Sequence, residues 1–183
     1  MSDLYHPEVS DSFIGDVYES VRKMEQSAFQ VLTKHGGDNN RDIPHPPDNM
    51  MLGVSVGHPE WRYRIDWLRA QPAQTKFVSF EPLVECIPEV DLTGIDWAII
   101  GGESGPDHRE MHPAWARNII RSCRRQDTAA FFKQHSARKS ESDQTIAYPY
   151  PSNGPKRIEE FPELPIGILP KPRKHMTEPL AAD

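Results

Sequence analysis

Cysteine is scarce: Cys86 and Cys123 are the only two in 183 residues. Two distant thiols exclude a disulfide framework and a four-cysteine metal site, and both read as structural thiols. Long apolar runs are missing too. None approaches the roughly 20 residues of a membrane span. Met1–Tyr5 lacks the basic and apolar pattern of a signal peptide. The chain is therefore expected to be cytoplasmic, with no membrane partner. Basic residues are in deficit, 21 against 27 acidic, for a net charge of −6. That disfavours a protein gripping DNA through its whole surface and leaves a local basic patch open. There is no P-loop, no GxGxxG and no serine elbow. The eight histidines have no zinc spacing, so no metal site is expected.

What is present alternates in period. Five short apolar runs read as buried parallel strands: Phe29–Lys34, Met51–Val56, Lys76–Glu81, Trp97–Gly102 and Ala129–Gln134. Helical spacing appears in three places. Phe13–Met24 aligns Phe13, Ile14, Val17, Val21 and Met24. Pro59–Ala70 aligns Trp61, Ile65 and Leu68. Pro113–Arg125 aligns Trp115, Ile119, Ile120 and Cys123. Pro59 and Pro113 suit first helical positions, and His58 and His112 suit the caps before them. Strand alternating with helix predicts βαβ units and a mainly parallel sheet. Periodicity leaves an open sheet and a closed barrel equally available. Gly36–Asn49 and Leu83–Ile95 read as irregular.

Proline, by contrast, is plentiful, and eight of the eighteen follow Tyr148. The division expected is an α/β domain over 1–135 and a Pro-rich tail over 136–183. The tail is expected to be largely extended or disordered, with a short ordered piece near Ile158–Leu164.

Ligands of parallel α/β folds bind at the carboxyl ends of the strands. Those ends carry Thr33, Lys34 and His35; Ser55, Gly57 and His58; Ser79 and Glu81; Gly101–Gly105; and Lys133, Gln134 and His135. Gly101, Gly102, Glu103 and Ser104 form the strongest local signal. Glycines let the backbone turn and approach a ligand, so these four are candidates for cofactor binding. Glu81, pinned before Pro82, is a candidate base or ligand-binding carboxylate. Lys133 is a candidate point charge for an anion. The competing readings are a tight turn with a solvated Glu103, a surface acid at a strand end, and a snorkelling lysine.

Seven stretches occur in the order of one known family: SDLYHPEV from Ser2, FQVLTK from Phe29, LGVSV from Leu52, VSFEPL from Val78, DWAIIGGESGP from Asp96, MHPAW from Met111 and FFKQ from Phe131. Together they resemble the phage gp thirty-seven/gp sixty-eight family, a domain of unknown function that is itself similar to radical S-adenosylmethionine enzymes. The resemblance implies a partial (β/α) barrel. It also implies an iron–sulfur cluster and S-adenosylmethionine, held by a cysteine-rich segment upstream of the stretch matching Ser2. On that basis the chain is expected to be truncated, to bind no such cofactor alone, and to be inactive alone. A Cys-rich N-terminal half, or self-association, is the partner implied. The alternative is the substrate-side half of a split enzyme modifying nucleic acid or nucleotides.

Overall fold

The computed structural model describes residues 3–38, 43–140 and 142–162. Its centre is a five-stranded sheet in the order β1-β2-β3-β4-β5, with every neighbouring pair parallel. The strands are β1 Phe29–Thr33, β2 Met50–Ser55, β3 Thr75–Phe80, β4 Trp97–Gly101 and β5 Ala129–Gln134. Each expected run is a strand, with no end moved by more than one residue. Three helices lie between or before them: α1 Asp11–Lys23, α2 Tyr63–Ala70 and α3 Pro113–Arg125.

Alternation along the strands separates two faces. Leu52, Val54, Val78, Phe80, Ala98, Ile100, Ala130 and Phe132 join one core with Ile14, Tyr18, Ile65, Leu68, Ile119 and Cys123 from the helices. All three helices therefore cover the same face. The other face holds a separate aromatic cluster of Met51, Phe77 and Trp97, with Phe131 and Phe161 packed on it. Sequential strand order with one-sided helices is the wall of a barrel rather than a doubly wound sheet. The sheet is open, since β1 and β5 do not meet. Gly53 is required on the inner face, because a Cβ there would overlap the Phe77 ring.

The helix starts follow from capping. Ser10 accepts the N–H of Phe13 and sets the first turn of α1. His58 accepts the N–H of Glu60, and His112 that of Ala114, each ahead of a proline. Two expected stripes are corrected. In α1 the buried residues are Ile14, Tyr18 and Val21, whereas Phe13 and Met24 are exposed. Tyr18 turns inward because its hydroxyl finds the buried Tyr5 hydroxyl at 2.7 Å. Residues Pro59–Arg62 form a 3-10 turn before α2, and its tighter period carries Trp61 off the Ile65–Leu68 face.

Residues 142–162 are built onto the same sheet. A short hairpin pairs β6 Ile146–Ala147 with β7 Pro155–Lys156. Ile158–Phe161 then runs antiparallel along the outer edge of β5. The N–H of Phe132 donates to Ile158 O at 2.8 Å, and that of Glu160 to Ala130 O at 3.0 Å. The Glu160 carboxylate accepts the N–H of Ala130 and pairs with Arg124, while its carbonyl accepts Trp97 Nε1–H. The part of the expected tail from 163 on lies outside the described residues. No described helix is long and apolar enough to cross a membrane.

Candidate functional site

β3 and β5 each send an ionisable side chain past the carboxyl end of β4, which lies between them. Glu81 follows β3 directly, and Lys133 is the fifth residue of β5. Lys133 Nζ lies 3.4 Å from Glu81 Oε1. The space between them exists because β4 ends in Gly101, where a Cβ would overlap the Glu81 carboxylate. Ser79, two residues earlier on the same face, donates its hydroxyl to Glu81 Oε2 at 3.3 Å. Ser55 Oγ–H donates to the Glu81 carbonyl at 3.2 Å, tying the end of β2 to the same point. The Glu81–Pro82 peptide bond is cis. Beyond it, Leu83 N–H donates to Gly101 O and Val84 N–H to Gly57 O. Gly57 admits this crossing, since a Cβ there would strike Pro82 O. The Glu81 carboxylate thus has one hydroxyl donor and one ammonium, and both partners keep some solvent contact.

Three of the six residues expected at a site, Glu81, Lys133 and Gly101, come together here. The other three are placed differently. Gly102 packs against Ser136, which leaves no room for a Cβ, and its N–H donates to Gln134 O. Ser104 bridges to Ala137, and the N–H of Gly105 donates to Ala137 O. The glycine-rich turn therefore prolongs the β4–β5 pairing past the strand ends, and those N–H groups have protein acceptors. Glu103 turns outward. Arg109 donates its backbone N–H, Nε–H and Nη2–H to Glu103 at 2.9, 2.8 and 2.8 Å. These hydrogen bonds hold the Glu103 carboxyl down at about 2 and close the loop between the two residues.

A second cluster surrounds the ends of β1 and β2. The Asp3 carboxylate accepts Thr33 Oγ1–H at 3.0 Å and Lys34 N–H at 2.7 Å. Arg64, buried at the start of α2, donates from Nη1 to Ser55 O at 3.0 Å. Its Nη2 lies 3.6 Å from Asp38, which also accepts the Tyr63 hydroxyl. His58 Nε2 is 2.7 Å from Glu85. Arg64 and Asp38 went unread in the sequence because each sits in a stretch assigned wholly to helix or loop. The available signal was the alternation Trp61-Arg62-Tyr63-Arg64, which is poor as an amphipathic stripe.

A hollow of about 620 Å³ lies at the opposite end of the sheet, between Arg22, Glu25, His45 and Asp48. Nearby, the Asn49 amide donates to the carbonyls of Val21, Met24 and Ser27. That is a brace for the end of α1, and the polar groups that converge on one another lie instead at the strand carboxyl ends. Among the described residues no three His, Cys, Asp or Glu side chains are grouped to hold a metal. Cys123 is buried, and burial pushes its thiol up to about 12. Cys86 is half-buried. This donor set does not fit a four-iron cluster, which takes thiolates.

A parallel one-sided sheet with a polar cluster at its carboxyl ends places the chain in the α/β class with a barrel-type wall. Within that class it belongs to the family described as "Protein of unknown function (DUF5131)", whose model matches residues 1–163. No curated protein and no solved structure matches the chain.

Proposed function

We propose that this chain is the substrate-side wall of a cytoplasmic barrel enzyme of the phage gp thirty-seven/gp sixty-eight type. It is inactive alone and is completed by a Cys-rich unit that supplies radical S-adenosylmethionine chemistry. That unit is either a separate chain or a further part of the same protein. The substrate class proposed is nucleic acid or a nucleotide, which rests on the phage association of the family it resembles. The observation that carries the reading is the Glu81–Lys133 pair, aligned across Gly101 at the carboxyl ends of a parallel sheet. Lys133 offers a point charge to an anionic group, and Glu81 takes a hydrogen bond or a proton from an amine or hydroxyl. In the free chain each satisfies the other, so a ligand enters by exchanging partners with both.

The sheet edges support a companion. The outer edge of β5 is covered by Ile158–Phe161, whereas no described strand pairs with the outer edge of β1. An uncovered edge offers its N–H and C=O groups to another strand.

Anaerobic iron and sulfide analysis with a visible spectrum tests the reading, on the chain alone and on the chain mixed with a Cys-rich companion. The expected outcome is a cluster only in the mixture, with a spectrum that responds to S-adenosylmethionine. A mixture that acquires no cluster would overturn the radical-enzyme reading.

A further inference from the structure

We propose that the Trp61–Arg64 turn is a stacking platform for the unpaired bases of a single-stranded nucleic acid. This deepens the nucleic-acid reading above by naming where the strand would lie. Trp61 and Tyr63 are 38% and 43% exposed, although they open a helix whose later apolar residues, Ile65 and Leu68, are buried. The 3-10 turn holds both rings out of the core. They are not loose for that. Beneath them the Arg64 guanidinium is 5.1 Å from the Trp61 ring centre and 5.7 Å from that of Tyr63. Arg64 is itself fixed by Ser55 O and Asp38, and its buried Nε has no hydrogen-bond partner among the described residues. Tyr63 donates to Asp38, and Gly37 lies against the Tyr63 ring. The His58 ring sits 5.7 Å from Trp61 and is held by Glu85.

Two outward aromatic rings on a fixed cation suit flat π-systems. Stacking tolerates any base, because every base has such a face. Of the neighbouring acids Asp38 is paired with Arg64, while Glu60 and Glu85, both beside His58, stay exposed and oppose the phosphates. Arg62, between the two aromatic residues in sequence, and Lys34 are both exposed. Lys34 leads directly into the loop that packs on Tyr63. Ser55, whose carbonyl holds Arg64, donates its hydroxyl to the Glu81 carbonyl, so the base of the platform and the end of β3 share one anchor. With so few cations, affinity rests on stacking. Two phosphate contacts imply a shallow salt dependence, a log–log slope of about −1.4 for a single strand.

The test uses the full chain and fluorescein-labelled single strands of about 15 nucleotides, DNA and RNA, near the upper site size of stacking folds. Anisotropy gives affinity, and tryptophan fluorescence reports contact. The expected result is quenching on binding, weakened roughly 5- to 100-fold by W61A or Y63A. W61F and Y63F keep a ring for stacking and should restore most of the binding that W61A and Y63A lose. K34Q and R62Q should flatten the salt dependence without abolishing quenching. Circular dichroism confirms that the variants fold, and the phenylalanine pair keeps the test decisive if the alanine variants do not. Failure of single strands to bind, or equal binding by W61A and Y63A, would overturn the proposal. So would equal binding of a blunt duplex or a free mononucleotide. The assay needs no cluster and no companion, so its failure is distinct from failure of the cluster experiment.

Discussion

Gly101 sets what Glu81 and Lys133 can do. A methyl group at this position occupies the space of the Glu81 carboxylate. Gly101→Ala should lower stability by about 1–3 kcal/mol, measured by urea denaturation, because the neighbouring side chains must move off their positions. Lys133→Met should behave otherwise. The pair is partly exposed, so its loss should change stability by less than about 1 kcal/mol while removing the anion contact proposed for Lys133. Glu103 makes a pH prediction. Its carboxyl is held at about 2 in the folded protein, below its ordinary 4.5. Its contribution to stability is therefore complete above about pH 4.5 and is lost as pH falls towards 2. Urea midpoints across that window should fall less steeply in Glu103→Gln than in the native chain. Among the thiols, buried Cys123 should resist iodoacetamide at pH 8 until the protein is unfolded.

The strap Ile158–Phe161 depends on Phe161, which packs on Trp97 and Phe131 with ring centres 5.6 Å from each. Phe161→Ala should cost about 2 kcal/mol, below the range for fully buried aromatics because the ring is only half-buried. It should also loosen the cover on β5, which increased amide exchange at Ala130 and Phe132 would show. The strands themselves were legible because buried parallel strands are nearly continuous apolar runs. His112 and Pro113 marked the start of α3 equally well, whereas His58 and Pro59 open the 3-10 turn ahead of α2. Trp61 was misassigned to a buried stripe, because a 3-10 turn has a period that helical spacing does not reveal. At the site, Glu81, Gly101 and Lys133 could be read one by one from the strand ends. Their meeting could not, since it depends on strand order. The partners of Gly102, Ser104 and Glu103 were hidden for the same reason: Ser136, Ala137 and Arg109 reach them only through β5 and a closed loop.

At the scale of the whole molecule, the two edges of the sheet are unequal. The strap, its ion pair to Arg124 and its bond from Trp97 close one side. On the other, β1 carries a 40% exposed Leu32 and has no described neighbour beyond it. Phe29 N–H donates to Asn49 O of the strand-2 side, so alternation directs the N–H groups of Gln30 and Leu32 outward. A wall with one sealed edge and one open edge grows in one direction only. The Cys-rich unit proposed above is therefore expected to add its strand at β1, with the Glu81–Lys133 pair facing the interior it would complete. Amide hydrogen exchange at Gln30 and Leu32, with and without the Cys-rich companion, tests this most directly. Both amides should gain strong new protection when the companion binds, with Ala130 and Phe132 unchanged. Binding of the companion with no change at Gln30 and Leu32 would contradict it.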